Sequence, residues 1–263
     1  MTARKAASRA WTVVGPVLLV LAFLAVWQAY ARTGSLGADV LPAPSDVAAH
    51  GWDVRQDLWA NTIPTLEATA IGFALSLTTG FVLSVLVDLS GLVRRSLMPL
   101  LIVAQTLPLI AIAPLMILWF GFGPLPKVLI VALVTFFPIT VSLVEGYAST
   151  DPTAQQLLRT MGAGRLRTFW MLRLPSAMTY FFGGLRIAIT YAVVAAIFAE
   201  YAGATEGLGI YMQNAKNSFR TDLVLAAVAV SAFWTLVLFG LTFAVERVAL
   251  PWVHLQRKAG ARA

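Results

Sequence analysis

An all-α integral membrane protein with about six transmembrane helices is what this sequence predicts. Composition is the first reason: 59% of the 263 residues are hydrophobic and only 12% are charged, against about 25% charged in a soluble domain. Run length is the second, since several uncharged stretches reach the roughly 20 residues that a helix needs to cross a bilayer. The third is charge. The net +7 reads as the Lys/Arg excess of cytoplasmic loops rather than as a nucleic-acid surface. The chain has no cysteine, so it has neither a disulfide framework nor a thiolate metal site.

Residues 1–31 form the first element. Arg4, Lys5 and Arg9 precede an uncharged run from Ala10 to Ala31. Ala29-Tyr30-Ala31 mimics a signal-peptidase site, but the run exceeds the usual signal core of about 7–15 residues, which favours an uncleaved span. Residues 32–61 form an extracytoplasmic loop. In it Ser45-Asp46 opens a short interfacial helix carrying Val47, Val54 and Leu58, and Trp52 and Trp59 suit a membrane interface. His50 is assigned no role.

The core, residues 62–250, holds the remaining spans. Span 2 covers Thr62–Asp88, with Glu67 near its start. Span 3 covers Leu97–Phe120 and contains Gln105, Pro108 and Pro114. The short turn Gly121–Pro126 makes spans 3 and 4 antiparallel neighbours. Span 4 covers Lys127–Glu145 with Pro138 inside, span 5 Ala177–Tyr201 and span 6 Leu223–Leu250. Between the last two, Leu208, Tyr211, Met212, Ala215 and Phe219 have helical spacing. Residues 251–263 are a tail. Counted by loop, the side of the N-terminus holds twelve Lys/Arg, the opposite side five, and Arg186 and Arg247 sit near span ends on the richer side. Both termini and residues 151–175 are therefore expected in the cytoplasm.

Several chemistries are missing. The chain has no GxxxxGK[ST] phosphate loop, no HExxH, no GxSxG and no Cys/His cluster. Its two histidines, His50 and His254, fall outside the spans. Glu67, Asp88, Glu145, Glu200 and Glu246 fall near span ends, and Asp88 and Glu145 lie close to cytoplasmic arginines that can pair with them. An ion-coupled secondary transporter, the alternative reading, usually needs ionisable groups deep in the bilayer. A membrane-embedded enzyme needs an acid, a base and a nucleophile that converge, and none do. Pro108, Pro114 and Pro138 break helices in spans 3 and 4, either as ordinary kinks or where freed carbonyls face a cavity. Gln105, Pro108 and Glu200 are the candidates for a substrate path. Gln105 suits equally a bond to a neighbouring helix.

The stretch Asp151–Pro175 interrupts this apolar chain. Asp151 is placed to accept bonds from free backbone N–H groups, and Pro152 at the first helical position loses no needed donor. The helix runs to Met161, with Leu157, Leu158 and Met161 as a small apolar face, and Gly162-Ala163-Gly164 stops it. A second helical run, Arg165–Leu172, ends at Leu174-Pro175. Arg159, Arg165, Arg167 and Arg173 surround the stretch with positive charge. It reads either as a solvated cytoplasmic loop or as a docking element for a soluble partner.

The spacing decides between them. Gln156-Leu157-Leu158, Gly162, Leu172 and Leu174-Pro175 resemble the EAA loop of the inner-membrane permease subunits of bacterial ABC importers: EAA, three residues, Gly, nine residues, Ile, one residue, Leu-Pro. QLL replaces EAA and Leu replaces Ile, which loses the acidic residue. Gly162-Ala163-Gly164-Arg165 is similar to a run common in that family. LPAPSDV, LWFGFGPLPK, FFPITVSLVEGY, PSAMTYFFGGLRIAITYAV and AEYAGATEGLG resemble the branch for nitrate, sulfonates, taurine, riboflavin and pyrimidine precursors of thiamine, with the last two substrates most similar.

The resemblance implies a type I ABC importer permease fold in the bacterial inner membrane, with two permease subunits, preferably identical. It implies two cytoplasmic ABC ATPases that use ATP and Mg, an extracytoplasmic substrate-binding protein, and no cofactor, metal or catalytic residue in this chain. Asp151, Pro152, Gln156, Leu157, Leu158, Arg159, Met161, Gly162, Ala163, Arg165, Leu172, Leu174 and Pro175 would couple it to the ATPase. Residues 203–222 would form part of an outer gate or meet the binding protein.

Overall fold

The computed structural model describes residues 2–34 and 40–251, with side chains from Val14 onward except at Ile110. Arg4, Lys5 and Arg9, and the tail with His254, Arg257, Lys258 and Arg262, therefore lie outside the described side chains. Among the described residues all regular structure is helical. Five helices among the described residues are long and apolar enough to span a membrane.

The chain forms two compact units, Met1–Trp59 with Tyr211–Ala229, and Ala60–Ile210 with Val230–Ala263. In the first unit, α1 (Thr2–Thr33) meets α2 (Pro44–Asp53). Arg32 donates to Asp46 at 2.8 Å, and the Gln28 amide donates to Ser45 Oγ at 3.0 Å. His50 Nδ1 lies 2.8 Å from the Asp222 carboxylate, which also takes the Arg220 guanidinium at 2.8 Å. His50 thus has a structural partner that the sequence did not reveal. The α2 helix starts beside Ser45-Asp46 as expected, but Leu58 belongs to the next helix, α3 (Arg55–Leu89), which begins well before Thr62.

The second unit is built on α6 (Pro124–Ala148) and α9 (Leu174–Tyr201). Ile130, Val131, Ile139 and Leu143 of α6 are buried, as are Ala188, Ala192, Ala195, Ala196 and Ala199 of α9. The alanine face lets the backbones approach closely, which is how helices gain contact where lipid removes the hydrophobic drive. At Gly184 a side chain would collide with the Pro138 carbonyl and Ser142. From α3, Ser76 Oγ accepts a 2.8 Å bond from Thr135 of α6. The α10 helix (Leu208–Asn217) carries Leu208, Tyr211, Met212 and Ala215 of the spacing read between the last two spans, whereas Phe219 lies beyond its end at φ +55°, and α11 (Thr221–Ala249) is the last span.

Three sequence expectations are corrected. Span 3 is two helices, α4 (Gly91–Ala104) and α5 (Leu109–Phe120), interrupted at Gln105–Pro108. Pro114 and Pro138 lie inside continuous helices. Each costs one ladder bond, and lipid offers the backbone no better partner than the rest of its own helix. Arg186 is twelve residues beyond the start of α9 and not near a span end. It pairs with Glu246 and lies 4.3 Å from the Phe243 ring centroid, contacts that offset its removal from water.

Candidate functional site

The Asp151–Pro175 stretch folds as its local chemistry dictates, up to its last residues. Asp151 caps α7 (Pro152–Thr160): its carboxylate accepts from the Thr153 N–H at 2.8 Å, with Pro152 in the first turn. The C-terminus closes in a Schellman motif. Ala163 N–H donates to the Leu158 carbonyl at 2.9 Å, and Gly162 N–H to the Arg159 carbonyl at 3.0 Å. That closure needs a left-handed residue, and Gly162 has φ +79°. The expected proline break is absent. Helix α8 (Arg165–Thr168) runs through a π turn, Phe169–Arg173, directly into α9. The π register bonds Leu174 N–H to the Phe169 carbonyl. Pro175, without an N–H, is tolerated in the first turn that follows.

No residue of α7 is buried. Leu157 is 61% exposed and Met161 74%, whereas Leu158 is half-buried. Leu166, Trp170 and Met171 are also exposed. The stretch therefore exposes more large apolar side chains than a solvated loop requires. Gln156, Arg159 and Arg165 are exposed beside them, Ala163 is half-buried, and Leu172, Leu174 and Pro175 are half-buried where the stretch joins α9.

Its base is fixed. Phe169 is buried, with its ring 5.3 Å from that of Tyr147. Arg173 donates to Asp88 at the end of α3 at 2.7 Å and to the Tyr147 carbonyl at 3.3 Å. Tyr147 Oη lies 3.3 Å from Ser84 Oγ. Arg173 is the unspecified residue between Leu172 and Leu174-Pro175 in the motif. Its role is invisible in the pattern, although the closeness of Asp88 to cytoplasmic arginines was a usable signal. Glu145, treated alike, is exposed. Between α7 and this base lies a polar cleft of about 510 Å³, lined by Asp88, Gln155, Arg159, Gly164, Arg165 and Arg173.

The three path candidates do not come together. Gln105 and Pro108 lie at the α4–α5 interruption and are exposed. There Thr106 N–H turns back to the Val103 carbonyl and Leu107 N–H to Ala104, and Pro108 caps α5. Both halves border a cleft of about 510 Å³ against α6 and α9. Glu200 is elsewhere and fully buried. One carboxylate oxygen accepts from Thr65 Oγ1 at 2.8 Å, the other from Gly209 N–H at 2.7 Å. Thr65 Oγ1 also accepts from Leu208 N–H at 2.9 Å, and Asn61 Oδ1 from Gly207 N–H at 3.2 Å. A side chain at Gly207, where φ is +123°, would strike the Glu200 carboxylate. Glu200 thus ties the turn before α10 to the start of α3.

Comparison with known proteins bears on the family and the fold. Residues 72–251 match the family described as binding-protein-dependent transport system inner membrane component. The chain is 35% identical, over 246 residues, to the formylaminopyrimidine transport permease protein ThiX of Halalkalibacterium halodurans, covering 93% of this chain and 98% of that one. It is 32% identical to the riboflavin transport system permease protein RibX of Chloroflexus aurantiacus, covering 92% and 91%. Among solved structures, an amino acid ABC transporter crystallised with histidines superposes with TM-score 0.62 at 16% identity, over 74% of this chain and 95% of that one. At that identity the likeness concerns the fold.

Proposed function

Because this chain belongs to the binding-protein-dependent transport system inner membrane component family, the permeases of ABC importers, we propose that two copies of it form the path through which an ATP-driven importer moves a small molecule inward. Two cytoplasmic ATPases dock on α7, and an extracytoplasmic binding protein delivers the cargo. The cargo is a thiamine-precursor pyrimidine or riboflavin, ahead of nitrate, sulfonates and taurine. Both termini and the Asp151–Pro175 stretch face the cytoplasm. The observation that carries this reading is α7 itself: it is capped at both ends, has no buried residue, and stands on a base anchored by Arg173 and Phe169. An exposed lever with a fixed base transmits a rigid-body push from a partner, and a mobile loop does not.

The test is reconstitution into liposomes with the ATPase and the binding protein. Uptake is expected to need ATP inside together with both partners. Uptake by the permease alone down an ion gradient would replace this reading with a secondary transporter.

A further inference from the structure

The cleft at the α4–α5 interruption carries an inference that rests on the importer reading and deepens it. A broken helix at bilayer depth leaves backbone groups without their ladder partners. Such backbone is tolerated only where protein buries it or where it lines a water-filled cavity. Gln105, Thr106, Leu107 and Pro108 are all exposed, so this chain does not bury its own break. The break is therefore left open either to a partner surface or to a water-filled path.

The chemistry of that path is specific. Ile187, Tyr191, Val194 and Phe198 recur along α9 at helical spacing, are 41–54% exposed, and line the cleft opposite the break. Phe137 of α6 closes its floor. No lining residue among those described is charged. The Gln105 amide and the Tyr191 hydroxyl both have free hydrogen-bonding capacity there, since neither is engaged by another described residue. The volume, about 510 Å³, lies within the roughly 300–1,000 Å³ of small-molecule sites.

We propose that this cleft is a transit site for an uncharged planar heteroaromatic ring, stacked on Tyr191 and Phe198 and held at its edge by the Gln105 amide. Aromatic faces reward a flat π-system. An amide offers donors and an acceptor to ring nitrogens, amino groups and carbonyls alike. A nitrate or sulfonate would give up its hydration with no cation to receive it. The same cleft thus favours the ring cargoes of the family branch over its anionic ones.

The test uses the complete complex, permease with ATPase and binding protein, in liposomes. The cargoes offered are formylaminopyrimidine, riboflavin, taurine and nitrate. Wild type is expected to import ring cargoes. Tyr191→Leu and Gln105→Ala should each lower that uptake by roughly 5- to 50-fold, the range that loss of one stacking or hydrogen-bonding partner produces. Tyr191→Phe, which keeps the ring, should stay within about threefold of wild type. Stimulation of ATP hydrolysis by loaded binding protein should persist in all three variants, because none touches α7 or its base.

A second measurement does not depend on any variant. Riboflavin fluorescence should be quenched by the wild-type complex in detergent without binding protein, and neither taurine nor nitrate should relieve the quenching. Ring import that Tyr191→Leu leaves unchanged, or riboflavin that is not quenched, overturns the site while the importer stands. A cleft occupied by a lipid chain or closed by the second copy gives those same two results. Absence of ATP-dependent uptake of every cargo by wild type overturns the importer reading itself.

Discussion

At the scale of single residues, two buried carboxylates hold opposite ends of the helical core. Asp88 has a side chain only 4% exposed, and Arg173 is its partner. Truncating one member of such a pair strands the other, which costs about 3–5 kcal/mol. Arg173→Ala should therefore lower the unfolding temperature in detergent, and Arg173→Ala with Asp88→Ala should recover part of the loss, because paired sites are not additive. Losses that simply add would show that the pair does not support the fold. Glu200 behaves differently, since its partners are neutral donors. Glu200→Ala leaves the Gly209 N–H without an acceptor and the Thr65 hydroxyl with only the Asn61 backbone carbonyl at 3.2 Å, at about 1–3 kcal/mol for the stranded donor. Glu200→Gln keeps one acceptor oxygen and should cost about half as much. Thermal unfolding of the two variants orders them, and equal shifts would mean that the carboxylate does not hold the turn.

At the scale of the element, α7 separates folding from coupling. Leu157 and Met161 point away from the protein, whereas Leu158 is partly engaged. Leu157→Asp should leave the unfolding temperature within about a degree, as an exposed substitution usually does, and should abolish stimulation of ATP hydrolysis by the binding protein. Full stimulation in Leu157→Asp would mean that the ATPase engages another surface. Gly162→Ala puts a side chain at φ +79°, a strain of about 1–3 kcal/mol at the elbow, and should weaken the same coupling without abolishing it. These features were legible because they are local. Asp151, Pro152 and Gly162 act within one helical turn, and their signals need no knowledge of the rest of the chain. Other features were not legible because their causes are distant. Pro175 reads as a break until the π turn before it is seen. Arg173 reads as one arginine of several until Asp88, 85 positions earlier, meets it. Glu200 reads as a path residue until Thr65 takes one of its oxygens. Proline alone was an unreliable marker: Pro108 interrupts a helix, while Pro114 and Pro138 do not.

At the scale of the molecule, contacts within the second unit fix how the chain crosses. Asp88, Tyr147 and Arg173 meet at one end, joining the end of α3, the end of α6 and the start of α9. Thr65 and Glu200 meet at the other, joining the first part of α3 to the end of α9, with Lys127 at the start of α6 donating to the Glu206 carbonyl beside them. The chain leaves the first end at Ser90 and starts α6 at the second, so α4 and α5 must together make a passage. Their 14 and 12 residues, at about 1.5 Å each, suffice for the roughly 30 Å hydrocarbon core. Six passages, four of them before Asp151, would then put residues 151–164 on the side of the N-terminus, although among the described residues five helices qualify as spans by length. Arg94, Arg95, Arg159, Arg165, Arg167 and Arg173 gather toward the first end, which by the positive-inside rule is the end we propose to be cytoplasmic. The absence of native cysteine makes this directly measurable. In intact cells stripped to the inner membrane, a membrane-impermeant maleimide should label Ser218→Cys but not Leu157→Cys. Opening the membrane should expose Leu157→Cys, and bound ATPase should protect it again. Labelling of Leu157→Cys but not Ser218→Cys from outside would mean that α4–α5 returns to its own side, leaving five passages, or that the whole chain is inverted, and either leaves no cytoplasmic lever.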